Sequence, residues 1–193
     1  MALKLITPPA SEPITLAEAK PHLRVDITDD DTLITNLIIA ARQYCEKFQN
    51  RAYITQTWEL WLDVWPEKDY ITIPLPPLQS VVHVKYYGTD DTEYTMDTAD
   101  YFVDTKSEPG RVALAYGKSW PTTTLRPANG VAVQFTAGYG DAASAVPETV
   151  KQAMYLLIGH WYENREATLA GTVSREVEFA VHSLLWQERI VPV

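Results

Sequence analysis

Apolar positions recur at helical spacing near both ends of this chain and alternate with polar ones between them. After an extended stretch to Pro13, Thr15 and Glu18 stand at capping-box spacing, where each side chain satisfies a backbone donor left free by the first turn. Pro21 lacks an amide hydrogen and clashes with the preceding turn, so this helix is short or kinked. Thr28, Asp29, Asp30 and Asp31 then precede a longer helix, with the carboxylates expected to cap its free amides. Leu33, Leu37, Tyr44 and Phe48 recur near helical spacing, with Ile34, Ile38, Ala41 and Cys45 beside them. A stripe this wide belongs to a helix packed on more than one side.

Beyond Arg51 the period falls to two. In Thr57–Trp65, Trp58, Leu60, Leu62 and Val64 share one face and Glu59, Trp61, Asp63 and Trp65 the other, as in a half-buried strand. Ile71–Ile73 is a strand stopped by Pro74, Pro76 and Pro77. Val82, Val84 and Tyr86 alternate before the turn-rich Gly88–Asp91 and a further strand from Glu93 to Met96. Tyr101–Asp104, Arg111–Ala115 and Val131–Thr136 complete the set, with turn chemistry at Glu108–Gly110 and Asn129–Gly130. Short strands at this spacing predict a small sandwich or barrel.

The helical period returns after Gly138–Asp141. Pro147 suits the first helical position, and Val150, Ala153, Met154, Leu157 and Trp161 line one face, widened by Leu156 and Ile158. Arg165–Glu176 reads as a polar loop, Glu178–Arg189 as a last helix and Ile190–Val193 as an apolar tail. The expected fold is α+β. Residues 1–52 plus 138–193 form a small helical bundle, and residues 53–137 form an inserted antiparallel sandwich or barrel-like domain.

The 193 residues are 46% hydrophobic, enough for a real core. Lys and Arg number 16 against 25 Asp and Glu, which disfavours binding nucleic acid through its phosphates. An acidic surface still suits DNA that slides past without sticking. Cys45 is the only cysteine, so no internal disulfide and no CxxC metal site is expected; it reads as a small buried side chain. The N-terminus has no signal-peptide pattern, and the apolar run Ala153–Gly159 is too short to span a bilayer, so a soluble protein made in a reducing cytoplasm is expected.

No catalytic constellation emerges. Asp29, Asp30 and Asp31 resemble half of a hard-cation site, but no glycine turn or distal glutamate follows, and capping accounts for the run. His22, His83, His160 and His182 are scattered, with neither HExxH nor GxSxG spacing; His160 is expected at a helix–helix contact. Trp58, Trp61, Trp65, Tyr70, Tyr86 and Tyr87 admit three readings: sandwich core, subunit interface, or a surface that stacks on sugars or bases. Neither cofactor nor metal is expected.

Three stretches together resemble the head–tail connector (adaptor, or head-completion) proteins of long-tailed bacteriophages and prophages. They are Ile14–Arg24, Asp29–Glu46 and Val146–Glu166; Ile73–Val81 and Ala137–Gly140 also resemble the longer members, which carry a β-rich middle. The resemblance implies a non-enzymatic ring, usually twelvefold, at the virion head–tail junction. Its partners would be the portal protein and a stopper or tail-completion protein, with DNA passing through unbound. It further implies that Trp186, Ile190, Val191 and Val193 form part of a portal-facing contact, with Arg165, Glu166 and Arg175 on the adjoining loop. A tail-completion or minor capsid role, or a carbohydrate- or nucleotide-binding module, are the alternatives.

Overall fold

The computed structural model describes residues 1–164 and 173–191. The fold is α+β, and its described residues form four α-helices and two antiparallel sheets. The chain divides into two compact units, Ser11–Ile54 with Gly140–Val193, and Met1–Ala10 with Thr55–Tyr139.

The first unit holds α1 (Leu16–Leu23), α2 (Asp31–Gln49), α3 (Glu148–Glu163) and α4 (Val173–Trp186). The Thr15–Glu18 capping box forms as expected, and Pro21 lies inside an α1 of only eight residues. Ile34, Ile38, Ala41 and Cys45 of α2 are buried, as are Val150, Ala153, Met154, Leu157 and Ile158 of α3 and Val181 and Leu185 of α4. Chain ends far apart in sequence thus share one apolar core, and α2 meets both α3 and α4.

The carboxylates before α2 act differently from the capping expected of them. Asp30 makes no side-chain cap bond; its backbone, at φ −95° and ψ 2°, lacks the extended shape of a usual cap residue. Its Oδ2 instead accepts from Tyr162 Oη of α3 at 2.5 Å, and Asp31 Oδ1 takes Lys20 Nζ of α1 at 2.7 Å. The run therefore ties three helices together. Two boundaries also move: Pro147 is the cap residue rather than the first helical one, and α4 begins at Val173, so Arg175 is helical rather than in a loop.

The second unit carries a five-stranded sheet in the order β1-β2-β8-β4-β5 and a three-stranded sheet β3-β7-β6. The strands are β1 (Ala2–Thr7), β2 (Gln56–Leu62), β3 (Tyr70–Ile73), β4 (Leu78–Tyr87), β5 (Glu93–Thr95), β6 (Tyr101–Asp104), β7 (Gly110–Leu114) and β8 (Val131–Ala137). Central β8 is buried at Val131, Val133, Phe135 and Ala137, and its register sets Phe135 beside Trp58 and Val81, and Val133 beside Leu60 and Val84. Ile71, Ile73, Tyr101 and Val112 supply the buried side chains of the smaller sheet. A side chain on Gly110 would meet Leu78, which brings β7 close to β4.

Three readings need correction here. Residues 1–10, expected with the helices, belong to the β unit because β1 pairs antiparallel with β2. Val82 is 54% exposed because an irregularity between Val81 and His83 breaks the two-residue alternation. Asp63–Trp65 fall beyond β2, and Asp63 Oδ1 instead accepts the Asn129 amide of the loop before β8.

Candidate docking surfaces

The end of α2 grips the end of α4. Helix C-termini leave carbonyls without partners, and here Gln49 at the end of α2 and the two residues after it supply donors. Gln49 Nε2 donates to Leu185 O at 2.7 Å while its Oε1 accepts from Tyr53 Oη at 2.6 Å. Arg51 Nε donates to Glu188 O and Asn50 Nδ2 to Ile190 O, at 2.5 and 2.8 Å. The Ile190 amide returns a bond to Gln49 O at 2.9 Å. The tail is therefore held by its backbone as far as Ile190, while Val191 is 62% exposed. Of the expected contact residues, Trp186, Ile190 and Val191 gather at this end of the unit, and Arg175 lies eleven positions earlier in α4, about 16 Å along a helix. Arg165, Glu166 and Val193 lie outside the described residues.

The same region presents an aromatic surface. Phe179 and Trp186 project outward, His182 stacks on Phe48 at 4.5 Å, and Arg189 lies over both Phe48 and Trp186 at 4.7 and 4.9 Å. Arg189 Nε is buried without a hydrogen-bond partner among the described residues. His182 Nε2 is 3.0 Å from Tyr44 Oη of α2, and His22 of α1 packs on Tyr155 of α3 at 4.8 Å, so both histidines stand at helix–helix contacts. His160 instead faces Asn164 within the end of its own helix, at 3.1 Å. Sequence reading missed Phe179, His182 and Arg189, although the spacing 179, 182, 186 places three rings on one helical face.

None of the six β-unit aromatics singled out in the sequence is fully buried. The core uses aliphatic side chains with Met96, Tyr101 and Phe135, and these six larger rings lie at its margins. Trp65 stacks on Trp120 at 4.9 Å and packs on Tyr86 at 5.7 Å, and Tyr86 stacks on Tyr94 at 5.1 Å. Trp61 stacks on Tyr87 at 5.7 Å, and Arg126 lies 4.2 Å over the Tyr87 ring, held there by Asn129 O and Asp91. Burial, followed by the hydrogen bond to Glu93, pushes the Tyr87 hydroxyl up to about 12. Lys68 and Arg111 both lie 5.4 Å from the centre of Tyr70. An open cavity of about 360 Å³ lies beside Trp61 and Arg126, lined also by Leu3, Lys4 and Asn129.

Cys45 is fully buried, and burial pushes its thiol up to about 12. Among the described residues no group of three His, Cys, Asp or Glu side chains is placed to hold a metal ion. No described helix is long and apolar enough to cross a membrane.

Over its whole length the chain is similar to one from the neck of an empty gene transfer agent (GTA) particle computed with C6 symmetry, at 27% identity, covering 97% of that chain with a TM-score of 0.83. It is similar to chains in the virion of a native GTA particle and in a native neck computed with C12 symmetry. Their identities are 26% and 25%, each with a TM-score of 0.81 and 97% of that chain covered. No curated protein sequence matches significantly. A sequence model described as head completion protein matches residues 12–177, which span both units. The chain belongs to the head completion protein family.

Proposed function

We propose that this protein is a structural adaptor of a phage or prophage particle, acting without catalytic chemistry. It forms a ring at the head–tail junction that joins the portal vertex to the stopper or tail-completion protein and leaves a channel for DNA. The observation that carries this reading is the whole-chain likeness to neck chains, at TM-scores of 0.81 to 0.83, in both the helical and the β unit. A closed ring needs two different faces on each subunit, and the exposed surfaces described above supply unlike ones. The excess of acidic residues, 25 against 16 basic, repels phosphate and keeps the channel free of adhesion. The protein is made in the host cytoplasm and ends at the neck.

Within this reading Trp186 and Val191, 60% and 62% exposed, with Ile190 between them in sequence, form part of the portal-facing contact. Arg165, Glu166 and Val193, outside the described residues, and Arg175 of α4 belong to the same proposal. Removing the gene should yield filled heads that carry portals but no tails. Trp186→Ala with Val191→Asp should leave the isolated chain folded and abolish co-purification with portal. Tailed particles in the absence of the protein would refute the adaptor role, and unchanged portal binding by the double variant would refute the assignment of this face.

A further inference from the structure

The five-stranded sheet is open at both edges. Strands β1 and β5 are its outermost members, and every residue of both is exposed. Open edges present unpaired amides and carbonyls and are templates for pairing with another chain. Three strands separate β1 from β5, so the two cannot meet within one copy.

Their side chains match on both faces. Register carries one face across the sheet: Leu3 lies beside Leu60, Leu60 beside Val133, and Val133 beside Val84. Leu5 joins that face through Trp58, and Tyr94 through Tyr86 and Val131. Leu3, Leu5 and Tyr94 remain 37%, 41% and 40% exposed, so the apolar face of the sheet reaches both edges uncovered. Lys4 and Glu93 lie on the opposite face at those edges, beside Glu59 and Tyr87 respectively. Charge is matched over a longer stretch too. Met1–Ala10 contains Lys4 and no carboxylate, while Gly88–Asp100 contains Asp90, Asp91, Glu93, Asp97 and Asp100 and no Lys or Arg; Asp91, Glu93 and Asp100 share their charge with Arg126, Lys85 and Lys118 of the same unit, which leaves the segment's excess at Asp90 and Asp97.

We infer that the β1 edge of one copy pairs with the β5 edge of the next copy, making the sheets of neighbouring subunits continuous around the ring. This inference rests on the ring proposed above and names its subunit contact. Every neighbouring pair in the sheet is antiparallel, so β1 and β5 point the same way and the junction between neighbours related by a small rotation is parallel. Leu3 and Leu5 then lie against Tyr94, and Lys4 against the acidic edge. With only three residues in β5 the ladder is short. Such a contact holds where a template raises the local concentration of its partner and is weak between free copies.

The test uses assembled particles carrying Lys4→Cys with Glu93→Cys or with Thr95→Cys, oxidised and run on denaturing gels. The native Cys45 is fully buried and does not interfere. A disulfide requires facing side chains, so these same-face pairs should give covalent multimers at least about tenfold above either single cysteine. Leu3→Cys with Tyr94→Cys should do the same, whereas Lys4→Cys with Tyr94→Cys, on opposite faces, should not. Variants found in the necks of tailed particles that stay monomeric for every same-face pair would overturn this contact and leave the ring intact. Absence of the protein from the neck would overturn both.

Discussion

Arg42, Gln49 and Arg51 of the helical unit are less than a tenth exposed, and each is bound to a partner. The arginines of the β unit, Arg111 and Arg126, lie instead over aromatic rings at the surface, their side chains 43% and 25% exposed. The difference follows from the backbone. Helices end in groups with no partner, so Gln49 and Arg51 enter to meet them, while Arg42 joins the carboxylates of Glu12 and Glu46. Strands pair their backbone in ladders, which leaves long side chains free to line the outside. Interior polar contacts therefore do more to specify how the helices join, although Arg189 lies over rings there too, and apolar packing does more to specify the sheet, where Gln56 is the buried polar residue.

The largest effect is expected where the sheet has only packing to rely on. Phe135 is fully buried in the central strand, between Trp58 and Val81 in register. Phe135→Ala should cost about 4 kcal/mol through lost burial and the cavity left behind, measured by urea denaturation. A loss below about 1 kcal/mol would mean the β unit draws its stability from the surface stacks.

Next comes the helical counterpart. Arg42 bridges Glu12 and Glu46, both at 2.7 Å, with its side chain 8% exposed. Burial opposes its charge, but the bond to Glu12 and the charges of Glu46 and Glu12 outweigh that and hold the guanidinium above its ordinary value. Arg42→Ala removes the guanidinium that two part-buried carboxylates share and should cost about 3 kcal/mol. Arg126→Ala, at the surface, should cost less than about 1 kcal/mol. Equal losses would break the contrast between the units.

These two sites also mark what the sequence made legible. Strand and helix positions follow from periodicity, which reports burial on one face, and the Thr15–Glu18 cap forms as its spacing dictates. Arg42 looks like any solvent-facing residue of α2, because its partner Glu12 lies thirty positions away and periodicity is blind to such pairs. The same blindness hid the bond from Tyr162 to Asp30, and the strand β1, none of whose residues is buried enough to supply the face that alternation detects. The surface aromatics misled for a related reason: period two shows that a ring shares a face, not whether that face is covered.

A smaller loss sharpens the helical side. Tyr53 Oη is buried and donates to Gln49 Oε1, the residue that caps α4 through Leu185 O. Tyr53→Phe removes one oxygen and leaves the volume intact, so it isolates the polar contribution from packing. The expected cost is about 1.5 kcal/mol, the penalty of a buried acceptor left short of a donor. Amide exchange should quicken at the end of α4 before it changes elsewhere. Uniform exchange would place the role of Tyr53 in packing alone.

The smallest effect is local and depends on acid. Bonds from Ser107 and Arg111, with the amides of Ser107 and Lys106, hold the Asp104 carboxyl well below its ordinary range. Glu93, through Lys85 and Tyr87, and Asp90, through Thr92, are lowered too. All three belong to the β unit, whereas Glu18, lowered by Thr15, belongs to the helices. A carboxylate whose folded pKa is depressed contributes stability that is complete above its unfolded pKa and drains away as pH falls through the folded value. Below about pH 4 the unfolded chain takes up these protons first, so the turn from Asp104 to Arg111 loosens as pH continues down. Protection of the Lys106 and Ser107 amides, normalised for intrinsic exchange, should fall between neutral pH and about pH 3 while Val150–Leu157 of α3 keeps its own. Asp104→Asn should lower that protection at neutral pH and flatten its response to acid. If α3 loosens first, the acid-sensitive contacts of the molecule lie in its helices.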